Sequence, residues 1–250
     1  MANSPSGDSA IDRLMRILET FTPVRTVQTT AEIGRRAGIP RSSAHRIVGE
    51  LVDAGLLERD DERGIRIGMR LWELATRSSR ALRLRHAALA HMERVQAHVR
   101  EHTHLAILEQ DEALLVERLS GPESGANITR IAGRLPLHAS SSGLVLLAFA
   151  DRELQDRILA GRLAALTRET IVDPPALRRK LAEIRTLGHA VAPGSFDDVS
   201  TGVAVPVRDE TGHVAAALSV VLPRGAQTPA ALAQLLRAAR DIERELGYRR

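Results

Sequence analysis

The 250 residues predict an α+β chain of two domains, a small N-terminal unit of three helices closed by a short β-hairpin and a larger C-terminal unit with an antiparallel sheet flanked by helices. Three observations carry this. Apolar residues recur at helical spacing up to about residue 55, then give way to two short strand-like runs. After about residue 100, strand-like and helix-like stretches are mixed. The charge is also unevenly divided: residues 1–85 hold 15 Lys+Arg against 11 Asp+Glu, and the remainder holds 20 of each, so the net +4 lies entirely in the first third. Such a distribution suits a module that meets phosphates joined to one that does not.

In order, Ile11, Leu14, Met15 and Leu18 predict a first helix, opened by Ser9 with Asp12 and stopped near Phe21 and Pro23. Thr29 and Glu32 have capping-box spacing and open a second helix of barely two turns, ending at Gly38. Pro40 then starts a third, whose stripe Ala44, Ile47, Val48, Leu51 and Val52 ends before Gly55. Leu56 to Asp60 and Gly64 to Gly68 read as strands around the turn Asp61, Glu62, Arg63. From Met69 the chain returns to helix through Leu71, Leu74 and Ala75, and a long polar and alanine-rich helical stretch continues toward Arg100, with the domain boundary expected within 70–86.

In the second domain, Leu105 to Glu109 and Ala113 to Leu119 predict a hairpin, Asn127 to Ile131 a further strand, and Ser141 to Ala150 a helix apolar enough to be buried. Asp173 and Pro174 open a helix striped by Leu177, Leu181 and Ile184 and stopped by Gly188. Strands follow at Ala190 to Val191, Val203 to Val207 and Val214 to Val221, the last two joined by the turn Asp209 to Gly212. A helix from Thr228 and Pro229, with Leu232, Leu235, Leu236, Ala239, Ile242 and Leu246, closes the chain.

Composition removes several functions. Zero cysteines exclude disulfides, thiolate metal sites and cysteine nucleophiles, and 2% aromatic residues leave few platforms for stacking single-stranded bases. No apolar run approaches the ~20 residues that span a bilayer, and the first ten residues lack a signal-peptide pattern, so a cytoplasmic location is expected.

Two short helices joined by a glycine-containing turn, preceded by a helix and followed by a hairpin, follow the winged helix-turn-helix plan. The apolar stripe of the third helix turns Arg41, Ser42, Ser43, His45 and Arg46 away from the core, with Gly49. Arginine can take guanine bidentately or grip a phosphate, serine reaches either, and a small residue allows close approach. Arg63 and Arg66 of the hairpin join these as candidates for double-stranded DNA; lone solvated positions on an amphipathic helix would look the same without that context.

The run from Thr29 to Ala75, TTAEIGRRAGIPRSSAHRIVGELVDAGLLERDDERGIRIGMRLWELA, resembles the DNA-binding domain of IclR-type transcriptional regulators. GRLPLHASSSGLVLLAF and GHAVAPGSFDDVSTGVAVPVRDETGHVAAALSVVLP resemble the two signature regions of that family's effector domain, in the same order. The resemblance implies a winged helix-turn-helix domain over 1–70, with 1–8 a disordered tail, a linker helix over 71–85, and a GAF-like effector-binding and oligomerisation domain over 86–250. It also implies a regulator of transcription, a repressor of a catabolic operon by preference, acting as a homodimer or homotetramer under a small carboxylate or aromatic catabolite.

Independently of that likeness, residues 136–143 pass from a loop into an apolar helix, where unpaired N–H groups and serine hydroxyls converge and suit a carboxylate. Simple capping by Ser140 or Ser141 is the plainer explanation of the same residues. The resemblance places the effector against Ser141, Ser142, Ala192, Gly202 and Ser219, to which the local reading adds Leu137 and Gly143. Relatives often carry an acidic residue at 192, a cysteine at 202 and a serine at 221, so the pocket here is expected to be less polar. Asp197 and Asp198 sit near its edge, more simply read as a solvated loop.

The rival class is a hydrolase using a serine of Ser140 to Ser142 with His138, but no G-x-S-x-G elbow and no acidic orienter are present. His98, His102 and His104 offer a weak metal set. No catalytic residue, metal or cofactor is expected.

Overall fold

The computed structural model describes residues 8–60, 64–121, 124 and 129–248. The chain divides into two compact units, Met1–Ser79 and Arg80–Arg250.

The first unit opens with α1 (Ala10–Glu19), whose capping box joins Ser9 and Asp12 as their spacing predicts. The inward face overlaps the expected stripe only in part. Ile17 is fully buried with Leu14, Leu18 and Phe21 beside it, while Ile11 and Met15 remain exposed. After β1 (Val27–Gln28), α2 (Thr30–Arg36) carries the Thr29–Glu32 capping box. Helix α3 (Arg41–Asp53) crosses it so closely that a Cβ on Gly34 would lie 2.9 Å from the Cβ of Ala44. Strands β2 (Leu57–Arg59) and β3 (Ile65–Ile67) form the hairpin, with β1 on the far side of β3. The turn residues Asp61, Glu62 and Arg63 lie outside the described residues, as do residues 1–7 of the expected tail; Asp8 is described and ion-paired with Arg16 at 2.5 Å.

The helical stretch expected from Met69 toward Arg100 is present as two helices, α4 (Met69–Ser78) and α5 (Arg80–Val99), separated by Ser79 in an extended conformation. The break falls at Ser79, a residue type that is only a moderate helix former. The proposed linker of 71–85 therefore spans a break rather than one rod.

In the second unit six strands form one antiparallel sheet in the order β6 (Arg134–Pro136), β5 (Glu112–Leu119), β4 (His102–Glu109), β9 (Val214–Pro223), β8 (Ser200–Arg208), β7 (Ala190–Pro193). The further strand is at 134–136, not 127–131: Asn127 and Ile128 lie outside the described residues, and Ile131 is an exposed turn residue. Proline at 136 obscured the strand, yet β6 is the sheet edge, where a missing N–H breaks no ladder.

On one face α5 and α9 (Thr228–Glu245) cover Leu105, Val203, Val205, Leu218 and Val220. On the other lies α6 (Ser141–Ala148), with every residue buried, as a helix apolar all round requires. Outside it pack α7 (Arg152–Ala160), a helix the sequence reading missed although Asp151 caps it, and α8 (Pro174–Leu187), capped by Asp173 and closed by left-handed Gly188. Leu144, Leu147, Leu177 and Leu181 are each at most 1% exposed, contributing roughly 1.5 to 3 kcal/mol apiece by area burial. Small residues on the underlying face, Ala190, Ala192, Gly202, Ala204 and Ala217, let α6 settle against the sheet.

Candidate functional site

Two surfaces carry the candidate residues, one in each unit. On α3, Ala44, Ile47, Val48 and Leu51 are buried, so Arg41, Ser42, His45 and Arg46 are exposed, and Ser43 and Gly49 half-buried. No side chain caps the start of this helix, and a Cβ at Gly49 would meet nothing within 4 Å. Arg46 pairs with Glu50 one turn along, Nη1 to Oε1 at 2.6 Å, both side chains being about 60% exposed. In the hairpin, Arg66 meets Glu58 at 3.3 Å, and the other oxygen of Glu58 accepts the Met69 N–H at 2.7 Å at the start of α4. That backbone bond, then Arg66, holds the Glu58 carboxyl below its usual range. Arg63 lies outside the described residues.

The second surface is a recess where the start of α6 meets the sheet. Its walls include Ser140, Ser141, Ser142, Ala192, Gly202 and Ser219, and it is a small cavity of about 40 Å³ that opens to solvent. The pairing of β8 with β7 sets Gly202 opposite Ala192, and that of β8 with β9 sets it opposite Val221. A Cβ on Gly202 would fall 2.5 Å from Ser141 Oγ, so the bare backbone there is what lets the helix start sit on the strand. Ser142 donates its hydroxyl to Ser219 Oγ at 2.8 Å.

Leu137 and Gly143 are not in the wall. Leu137 is core, 1% exposed. The Gly143 N–H, expected to be free, donates to Ser140 Oγ at 3.0 Å, and a Cβ there would lie 2.6 Å from the Leu137 backbone. Gly143 thus serves close packing, and the capping explanation holds for Ser140. His138 donates from Nε2 to the Ala164 carbonyl at 2.9 Å, away from the Ser140 and Ser142 hydroxyls.

The recess also holds Asp197 and Val221, which the sequence reading set at or near it, and residues that reading passed over as wall: Leu135, Ala139, Phe196, Ser200 and, from distant β4 and the loop after β5, His104 and Thr129. Asp197 is tied down locally, accepting from Val199 N and Ser200 Oγ. His104 had been considered only as a metal ligand. Among the described residues no group of three His, Cys, Asp or Glu side chains is placed to hold a metal; His98 turns back to the Arg94 carbonyl, while the rings of His102 and His104 stack at 6.3 Å.

The sequence pattern of the IclR helix-turn-helix domain matches residues 10–61, and that of the bacterial transcriptional regulator IclR C-terminal domain matches residues 76–247. The chain belongs to the IclR family. This IclR-family protein is a DNA-binding transcriptional regulator, and its helix-turn-helix is the unit built on α2 and α3. It is similar to the HTH-type transcriptional regulator XynR of Escherichia coli K12, 29% identical over 245 residues that span 96% of this chain and 97% of XynR. The Pca regulon regulatory protein of Pseudomonas putida is 27% identical over 249 residues, covering 97% and 85%. A crystal structure of an IclR homolog from Microbacterium hydrocarbonoxydans, complexed with 4-hydroxybenzoate, is 52% identical and superposes with a TM-score of 0.91, covering 95% of this chain and 99% of that one. Among the described residues no helix is long and apolar enough to cross a membrane.

In this regulator His104 is 2% exposed, and burial, then the neighbouring His102 and the Arg118 guanidinium, hold its pKa down to about 3 from an ordinary 6.5. The unfolded chain takes up this proton near pH 6.5 and the folded chain only near 3, so the contribution to stability is complete above 6.5 and lost as pH falls. At about 1.4 kcal/mol per unit, roughly 2 kcal/mol should disappear between pH 6.5 and 5. Urea unfolding at about pH 7 and pH 5 should show this loss, and His104→Gln should remove most of it; equal losses in both proteins would contradict the assignment.

Proposed function

We propose that this regulator represses a catabolic operon and that an aromatic carboxylate bound in the recess at the start of α6 controls its grip on operator DNA. The observation that carries the reading is the recess itself. The first N–H groups of α6, at Ser141 and Ser142, have no acceptor within the helix and lie in a mixed wall, where apolar Leu135, Ala139, Ala192, Phe196 and Val221 alternate with polar Ser140, Ser200, Ser219 and Asp197. Helix-start donors suit the charge, and the apolar wall residues suit the ring. Support comes from the similar Microbacterium protein, which was crystallised with 4-hydroxybenzoate.

In this reading Arg41, Ser42, Ser43, His45 and Arg46 meet the major groove, Arg63 and Arg66 the flanking backbone, and Ser141, Ser142, Ala192, Gly202 and Ser219 the effector. One short recognition helix reads too few base pairs alone, so the working form is a homodimer or homotetramer on a near-palindromic operator. The outward Leu74, 45% exposed, and half-buried Leu71, Leu82 and Leu89 are available to such an interface.

Fluorescence anisotropy with the protein's own upstream DNA tests this. Adding millimolar 4-hydroxybenzoate should shift the binding midpoint at least about fivefold, the lower end of ordinary allosteric coupling. The affinity should also fall steeply with salt as phosphate contacts release counterions. An unchanged midpoint, under conditions where calorimetry shows the acid bound, would refute effector control.

A further inference from the structure

An aromatic acid is larger than the recess that would receive it. The cavity is about 40 Å³, room for a few water molecules at roughly 10 to 15 Å³ each, whereas a benzene ring is held by a cavity of about 150 Å³. A ring binds here only if part of the wall gives way. Most of the wall is fixed. Ala192, Gly202, Ser219 and His104 stand on strands paired on the sheet ladder, and Ser141 and Ser142 belong to α6, which is buried throughout. Ala139 and the capping Ser140 are buried as well. Thr129 is gripped twice, its carbonyl accepting from Arg118 Nη1 at 2.5 Å and its hydroxyl lying 3.3 Å from His104 Nε2. What remains is the turn between β7 and β8, which brings Phe196 and Asp197 to the wall.

This turn is tied at both ends and loose between them. The carbonyls of Gly194 and Ser195 accept from Thr167 Oγ1 at 2.6 Å and Thr170 Oγ1 at 2.8 Å, and the Val199 carbonyl accepts from the Arg224 N–H at 2.7 Å. Between these anchors neither Phe196 nor Asp198 makes a hydrogen bond among the described residues, and Asp197 bonds only to Val199 N and Ser200 Oγ. Phe196 is half-buried and held by apolar contact with the core around α6.

The geometry points to Phe196 as the gate of the recess, its ring standing where the effector's ring goes and leaving by a swing of residues 196–198 between the anchors at Ser195 and Val199. This rests on the aromatic-carboxylate reading above and adds how the acid gains its room. The swing breaks no backbone hydrogen bond among the described residues. It gives up the partial burial of one aromatic ring, and the incoming ring covers the same apolar surface. Segments with so few hydrogen bonds open at low cost. Binding carries that cost, because the apparent Kd is the intrinsic one divided by the fraction of molecules whose gate stands open.

Calorimetry on the full chain tests the gate through its sign. Phe196→Ala should tighten 4-hydroxybenzoate by about three- to tenfold, which corresponds to a gate open in roughly a third to a tenth of wild-type molecules. A phenylalanine that only stacked on the bound acid would give the opposite result, since its loss would weaken binding. Phe196→Leu should fall between wild type and Phe196→Ala. The movement itself is read by ¹⁹F NMR on protein carrying 4-fluorophenylalanine at its three phenylalanines. The Phe196 signal, assigned by its loss in Phe196→Leu, should gain H₂O/D₂O isotope shift as 4-hydroxybenzoate saturates the protein, because the ring moves into solvent. Weaker or unchanged binding by Phe196→Ala, or a fluorine exposure that stays fixed or falls on saturation, would each overturn the inference and leave the aromatic-carboxylate reading in place. Wild type that binds neither benzoate nor 4-hydroxybenzoate removes that reading and this one with it. Should Phe196→Ala fail to fold, the sign of the Phe196→Leu effect and the wild-type fluorine signal decide.

Discussion

Replacing Arg46 by alanine should weaken operator binding about ten- to a hundredfold while leaving the thermal midpoint of the protein nearly unchanged. The side chain is about 60% exposed and its ion pair to Glu50 is an exposed pair one helical turn apart, worth only about 0.3 to 0.5 kcal/mol. Little stability is therefore lost with the guanidinium, and little opposes its swing from Glu50 to DNA. A loss greatest on the preferred operator would mean that Arg46 reads a base, typically about 1 to 3 kcal/mol of discrimination. A uniform loss on all duplexes, with a shallower salt dependence, would mean a phosphate contact. Unchanged affinity on every duplex would remove α3 from the DNA interface.

Ser142→Phe should abolish the response to the aromatic acid yet leave operator affinity within a few-fold. Ser142 is 2% exposed and its hydroxyl faces Ser219 across the floor of the recess, so a benzyl group there fills the space a ligand ring would occupy. Ser219→Leu attacks the same place from the sheet and should behave alike, which separates loss of the recess from local damage to α6. Both changes fall in the unit beginning at Arg80, and the helix-turn-helix lies in the other. Coupling requires that the acid prefer one state of the regulator, and a filled recess leaves no such preference to express. Anisotropy titrations with and without 4-hydroxybenzoate measure both quantities. A full ligand response in either variant would move the effector elsewhere.

The helix-turn-helix and the α+β character were legible because their signals are local. The capping pairs Ser9 with Asp12 and Thr29 with Glu32 form as their spacing requires, as does the stop at Gly188, because each depends on residues within one turn of the helix end. The exposed face of α3 followed from its apolar stripe for the same reason. The serine-rich start of α6 was likewise visible as a helix beginning, although the sequence alone could not say that Ser140 consumes the Gly143 N–H while Ser142 reaches Ser219.

Tertiary structure decided the rest of the recess. His104 becomes a wall residue only because β4 pairs with β9, which places it beside Ser219, and its uncharged state comes from burial and from neighbours, among them Arg118 on the adjacent strand. Gly202 matters through contact with Ser141, sixty-one positions earlier, and Pro136 sits in a strand only because that strand is an edge. Local periodicity and capping report on one element at a time. Strand order, register and the space left between a helix and a sheet are set by contacts between segments far apart in the chain, and those contacts decide which side chains face the recess.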